Sequence, residues 1–171
     1  MVFDFNRDDI NNYRACAPYP PARPEKPNRY YAKLISGAFA GKVSEMTAIA
    51  QYTVHGFFTD GYPEISVGYR YIAMVENIHL EMLSMLIADL GLKPILASYE
   101  ANQFWNGSFP VYAYDIREIL RADLRGERAA IAHYKKLITQ IDDRHIKELL
   151  ARIIQDEEKH IEILTSYYEG I

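Results

Sequence analysis

Two copies of a Glu-x-x-His motif, Glu76–His79 and Glu157–His160, lie inside otherwise apolar periodic stretches. The first falls in the series Tyr69, Ile72, Glu76, His79, Leu83, Leu86, Leu90, and the second in Ile146, Leu149, Ile153, Glu157, His160, Leu164, Tyr167. Steps of three and four put each series on one helix face. A single Glu-x-x-His on a helix ordinarily marks a solvated surface. A carboxylate and an imidazole in the middle of a buried stripe cost several kcal/mol unless something binds them.

Two further stripes each carry one glutamate. They are Leu34, Ala38, Gly41, Glu45, Ala48, Tyr52 and Leu120, Leu124, Glu127, Ile131, Tyr134, Ile138. Glu45 precedes Glu76 by 31 positions and Glu127 precedes Glu157 by 30, and each lone glutamate has a tyrosine seven positions later. The chain thus repeats one formula twice. Two such helical hairpins packed antiparallel bring four glutamates and two histidines to one level, the constellation of di-iron and di-manganese carboxylate bundles. Carboxylates with two imidazoles suit iron or manganese better than zinc or calcium.

The elements that must position these residues follow from the same periodicity. The first helix is predicted over Tyr30–Phe58, ending before the turn TDGYP, and the second from Pro63 to Leu90, stopped by Gly91 and Pro94. Residues 94–112 read as a long crossover. The third helix runs from Asp115 to Ile141, with Asp115 and Glu118 at capping-box spacing, and Asp142 or Asp143 caps a fourth that ends near Gly170. Short first and last turns around one long connection predict an all-α, antiparallel four-helix bundle of the ferritin-like type over residues 29–171. Residues 1–28 form a proline-rich arm that is expected to be extended, whose Phe3, Phe5, Tyr13 and Tyr19 suit packing against the bundle or a neighbouring subunit.

Composition excludes several function classes. Of 171 residues, 49% are hydrophobic and 25% charged, with a net charge of −4, so neither nucleic acid nor an anionic membrane is an expected partner. No uninterrupted apolar run reaches the ~18 residues of a membrane span, and the acidic start lacks the pattern of a signal peptide, so a cytoplasmic protein is expected. Cys16 is alone, which excludes an iron–sulfur cluster ligated within the chain.

The segment IIQDEEKHIEIL resembles the last bundle helix of bacterioferritins and rubrerythrins, and ENIHLEML with LGLKP resembles their second helix. The resemblance covers residues 30–168 and implies that Glu45, Glu76, His79, Glu127, Glu157 and His160 are metal ligands, with Glu76 and Glu157 bridging. It also implies that Asp156 hydrogen-bonds His79, while Val75 at the equivalent place leaves His160 to find another partner. Tyr52 matches a ferritin-family site tyrosine, and both Tyr52 and Tyr134 could donate a hydrogen bond or an electron to bound peroxide. Asn77 stands where bacterioferritins carry the haem-ligating methionine, so no haem is expected. Manganese catalases share the bundle and a crossover rich in aromatics, here Phe104, Trp105, Phe109 and Tyr112, but carry a lysine where this chain has Gly126. His55 and His133 lie off the stripes and are expected to be surface or packing residues.

The expected function is reduction or dismutation of hydrogen peroxide, or use of dioxygen, at a dinuclear iron or manganese site served by an external electron donor. The competing expectation is a ferroxidase or iron-storage protein, and a third is a redox-silent structural site. The absence of a fifth helix suggests a homodimer or small homo-oligomer.

Overall fold

The computed structural model describes residues 7–59 and 61–171. Phe3 and Phe5 lie outside the described residues.

The first predicted helix is two. α1 spans Arg29–Ala40, capped by the Asn28 side chain accepting from the amides of Tyr30 and Tyr31; α2 spans Glu45–Gly56, capped by Ser44 accepting from Thr47 N. A helix running through this segment would hand the Gly41 carbonyl to the amide of residue 45. Instead that carbonyl accepts from Ser44 Oγ at 2.7 Å and Thr47 Oγ1 at 3.0 Å. The hydroxyls compete with the backbone and win, as Ser and Thr do at caps. Gly41 is also crowded: a Cβ there would lie 2.5 Å from Gly37 O.

α3 spans Pro63–Asp89 with proline in its first turn. Its end is closed by Gly91 at φ +98 and by Leu92 N donating to Ile87 O at 3.1 Å, the left-handed stop that favours glycine. By length and composition α3 would suit a membrane span, but half of its most apolar stretch is buried within the bundle.

The crossover holds a small antiparallel ribbon that the sequence did not suggest, β1 (Ala97–Ser98) paired with β2 (Gln103–Phe104). Three hydrogen bonds pin the crossover to the first two helices: Tyr99 N to Ser36 Oγ, Trp105 Nε1 to Thr47 Oγ1, and Val111 N to Gln51 Oε1. α4 (Ile116–Gln140) is capped by Asp115 and α5 (Arg144–Glu169) by Asp143.

α2 packs along α3 and α4 along α5. The apolar core is divided in two. One half gathers Leu34, Leu83, Leu86, Leu137, Leu149 and Ile153; the other gathers Tyr69, Ile72, Ile119, Leu120 and Leu164. The glutamates and histidines fill the level between them. The arm is not wholly extended: Arg7–Tyr13 form a 3-10 helix against α3 and α5, with Tyr13 stacked on Tyr71 at 4.9 Å.

Candidate metal centre

The structure brings all six glutamates and histidines of the repeated formula together, each buried. Glu45, Glu76, His79 and Glu157 offer ligand atoms within 4.8 Å of one another, as do Glu76, Glu127, Glu157 and His160. Glu76 and Glu157 belong to both groups, Glu45 and Glu127 to one each. Both imidazoles face the carboxylates through Nδ1. That of His79 lies 3.0 Å from Glu76 and 3.4 Å from Glu157, and that of His160 lies 3.1 Å from Glu157 and 3.3 Å from Glu76.

The cluster is out of balance as a purely protein assembly. Among the described residues Glu76 Oε1 and Glu157 Oε1 find no hydrogen bond although both are buried, where polar atoms are normally satisfied. Burial and the neighbouring Glu76 and Glu157 push the carboxyls of Glu45 and Glu127 well above the usual range. Glu76 is pulled below its ordinary value despite burial, by His160 and His79 beside it. Burial would lower both histidines. For His79 it is overcome by the hydrogen bond to Asp156 and by the surrounding glutamates, and for His160 by Glu127 and Glu76, so both are raised. Protons therefore stand in for positive charge that the donor set calls for. Four carboxylates and two Nδ1 atoms around orphaned oxygens fit a pair of divalent ions, which would displace those protons.

The backing of the two histidines differs. Asp156 is fully buried and lies 2.9 Å from His79 Nε2, a bond that would keep a proton on Nε2 when Nδ1 gives up its own to a metal. His160 Nε2 is buried and finds no hydrogen-bond partner among the described residues. Asp156 is also held by Tyr19 Oη at 2.6 Å, Ala15 N at 2.7 Å and Arg152 Nη1 at 2.7 Å. Burial would raise its carboxyl, yet His79, Tyr19 and Arg152 bring it down to about 2.

Tyr52 and Tyr134 point into the site, each to the glutamate of the other hairpin. Tyr52 donates to Glu127 and Tyr134 donates to Glu45. Burial and the Glu127 charge push the Tyr52 phenol well above its ordinary value, so it holds its proton. Asn77 is exposed and bonded to Glu81, away from the cluster, and Cys16 is exposed on the arm.

Of the two expectations for His55, surface or packing, the structure shows packing. His55 is fully buried, with Nδ1 2.9 Å from Asp123 Oδ1, and Asp123 also accepts from Gln51 Nε2 at 2.7 Å. The signal for Asp123 was available: it sits one turn before Glu127. That for His55 was not, because its partner is 68 positions away. His133 is partly exposed at the chamber mouth, with Nδ1 3.2 Å from Val43 O.

A chamber of about 210 Å³ opens between α2 and α4 onto Glu45, Glu76, Glu127 and Glu157. Its walls are small and apolar, including Ala38, Ala48, Ala122, Gly126 and Ala130, with Lys42, Arg125 and His133 also lining it. Small molecules therefore have a route to the carboxylates from one side.

Comparison with known proteins places this geometry. The rubrerythrin family model matches residues 36–168. A manganese catalase of Bacillus subtilis is 21% identical over 172 positions, covering 82% of this chain and 63% of its own, so the chain spans less than two thirds of that relative. The crystal structure of a manganese catalase from Anabaena PCC7120 superposes with a TM-score of 0.84 at 23% identity, over 99% of this chain and 80% of the other. Mycobacterium tuberculosis bacterioferritin gives 0.70 at 26% identity, over 84% and 87%. The expected ferritin-like helical bundle is the fold of this chain.

Proposed function

The chain belongs to the rubrerythrin family, and from that premise we propose that it is a dinuclear iron or manganese oxidoreductase that reduces or dismutates hydrogen peroxide. The observation that carries the proposal is the pair of four-residue groups sharing Glu76 and Glu157 at the floor of one chamber. Glu45 with His79 and Glu127 with His160 would each complete one ion's ligands, and Glu76 and Glu157 would bridge. When bound, the two ions would supply the electrons that cleave the O–O bond. The similarity to manganese catalases supports the peroxide reading.

The protein's own part is to hold the ligands and to set the polarity around them. Four carboxylates offset most of the charge of two divalent cations. Tyr52 and Tyr134 each hold one carboxylate oxygen, of Glu127 and of Glu45, which limits how far these glutamates turn as bond lengths change. The mostly apolar chamber walls lower the polarity around the floor, where hydrogen bonds and charges count for more. An external electron donor, a small homo-oligomer and the absence of haem are parts of the same proposal.

The likeness to bacterioferritin favours a second reading, in which the same site oxidises Fe(II) for storage. One experiment separates them. Metal-free protein is loaded with iron or manganese and assayed for peroxide consumption with and without reductant, and a parallel sample is titrated aerobically with Fe(II). Peroxide turnover with iron uptake ending near two per chain supports the enzyme. Soluble uptake of tens of irons per chain without peroxide turnover overturns it in favour of storage.

A further inference from the structure

Residues 15–19 lie outside the stretch matched by the family model, yet they reach the metal centre. Asp156 receives four donors. His79 Nε2 and Tyr19 Oη share Oδ2, and Ala15 N and Arg152 Nη1 share Oδ1. Arg152 is itself bracketed by the arm. Its Nε donates to Ala17 O at 2.6 Å, its Nη2 to Ala15 O at 2.8 Å, and its guanidinium lies 4.3 Å from the centre of the Tyr19 ring. The arm thus supplies two direct donors to Asp156 and fixes the third. Val75 precedes Glu76 as Asp156 precedes Glu157 and offers no carboxylate, and His160 Nε2 is buried without a hydrogen bond among the described residues.

We propose that the docked N-terminal arm makes the two metal positions unequal, with Tyr19 as the positioning residue that, through Asp156 and His79, makes the His79 position the tighter one. The proposal rests on the dinuclear reading of the site but not on its peroxide chemistry. A carboxylate behind a ligating imidazole raises its basicity and fixes its orientation, and loss of such a partner typically costs about 10–100-fold in metal affinity. His160 faces the carboxylates through Nδ1 as well, but no described residue holds its far nitrogen. Coupling between two binding events is reciprocal, so a metal held more tightly when the arm is docked must also hold the arm more tightly.

The test is a Mn(II) titration of the metal-free full-length protein, followed by the paramagnetic signal of free Mn(II). Two steps separated by about tenfold or more are expected for the unaltered chain. Tyr19→Phe keeps the ring over Arg152 and removes only the hydroxyl, and is expected to weaken the tight step about 3–10-fold while leaving the weak step in place. Arg152→Lys, which cannot reach both arm carbonyls, is expected to act in the same direction. A second readout needs no variant: exchange of the Ala15 amide, bonded to Asp156, slows on adding the first equivalent of Mn(II). Titrations of Tyr19→Phe that superpose on the unaltered protein, or Ala15 exchange indifferent to Mn(II), overturn the proposal. If no metal binds at all, the dinuclear reading falls with it; if metal binds in two unequal steps but peroxide is not consumed, only the peroxide reading falls.

Discussion

Tyr134 of α4 hydrogen-bonds Glu45 of α2, and the bond is returned in kind by Tyr52 of α2 to Glu127 of α4. The two helices that wall the chamber are therefore strapped together at two points by phenol–carboxylate pairs. A buried group left without its hydrogen-bond partner costs about 1–3 kcal/mol. Tyr134→Phe is expected to lower the stability of the metal-free protein by about that amount in urea unfolding. Because both straps end in one carboxylate cluster and join the same two helices, the Tyr52→Phe and Tyr134→Phe losses should depart from additivity. A change below about 0.5 kcal/mol would mean that the phenol is dispensable to the fold.

The protons in the centre give a pH signature to metal removal. Glu45 and Glu127 hold protons well above the ordinary value of 4.5, so raising the pH favours the unfolded chain, which releases them earlier. The raised His79 and His160 act in the same direction: their contribution is complete below 6.5 and is lost as pH climbs through the folded values. Glu76 runs the other way, but its lowered value confines its effect to acid, below 4.5. Metal-free protein should therefore melt at progressively lower temperature between pH 5.5 and pH 8.5, while metal replaces the protons and flattens the trend. A gap between loaded and metal-free melting temperatures that stays constant over this range would contradict the assignment.

The buried His55–Asp123 pair predicts a defect of structure rather than of ligation. Removing one partner of a buried hydrogen-bonded pair costs about 1–3 kcal/mol, because the other is left unsatisfied. Asp123→Ala is expected to destabilise by that amount in urea unfolding, and metal analysis should still find two ions per chain. Loss of metal at full stability would place Asp123 in the centre instead.

Gly126 separates stability from turnover. A Cβ built there meets only Gln51 Nε2, at 3.8 Å, so a β-carbon is accommodated at the chamber wall. Gly126→Leu should gain up to about 1 kcal/mol of helix propensity in α4. It should also narrow the approach to the carboxylates and lower peroxide turnover about tenfold or more, by the roughly 1.4 kcal/mol that a tenfold effect represents. Turnover equal to the unaltered protein would show that peroxide enters elsewhere.

The six residues of the repeated formula were legible because helical periodicity turns spacing into a shared face, and four such faces can meet only at the bundle axis. The break before α2 was legible in part. Ser44 ahead of Glu45 is a cap signal, but the continuous apolar stripe from Leu34 to Tyr52 concealed it. Contacts of the arm were not legible, since Tyr19 and Asp156 are 137 positions apart and no periodicity links them. The same holds for His55 and for the ribbon in the crossover, where tertiary contacts decide the outcome.

The break at Gly41–Ser44 has a mechanical consequence. Glu45 is the first residue of α2, on a turn whose amides lack helical partners, whereas Glu127 lies in the middle of α4 with the ladder closed on both sides. One flank of the centre is thus compliant and the other stiff. A guest that swells the cluster would shift the capped first turn of α2, with Tyr134 following Glu45, before it disturbed the closed ladder around Glu127.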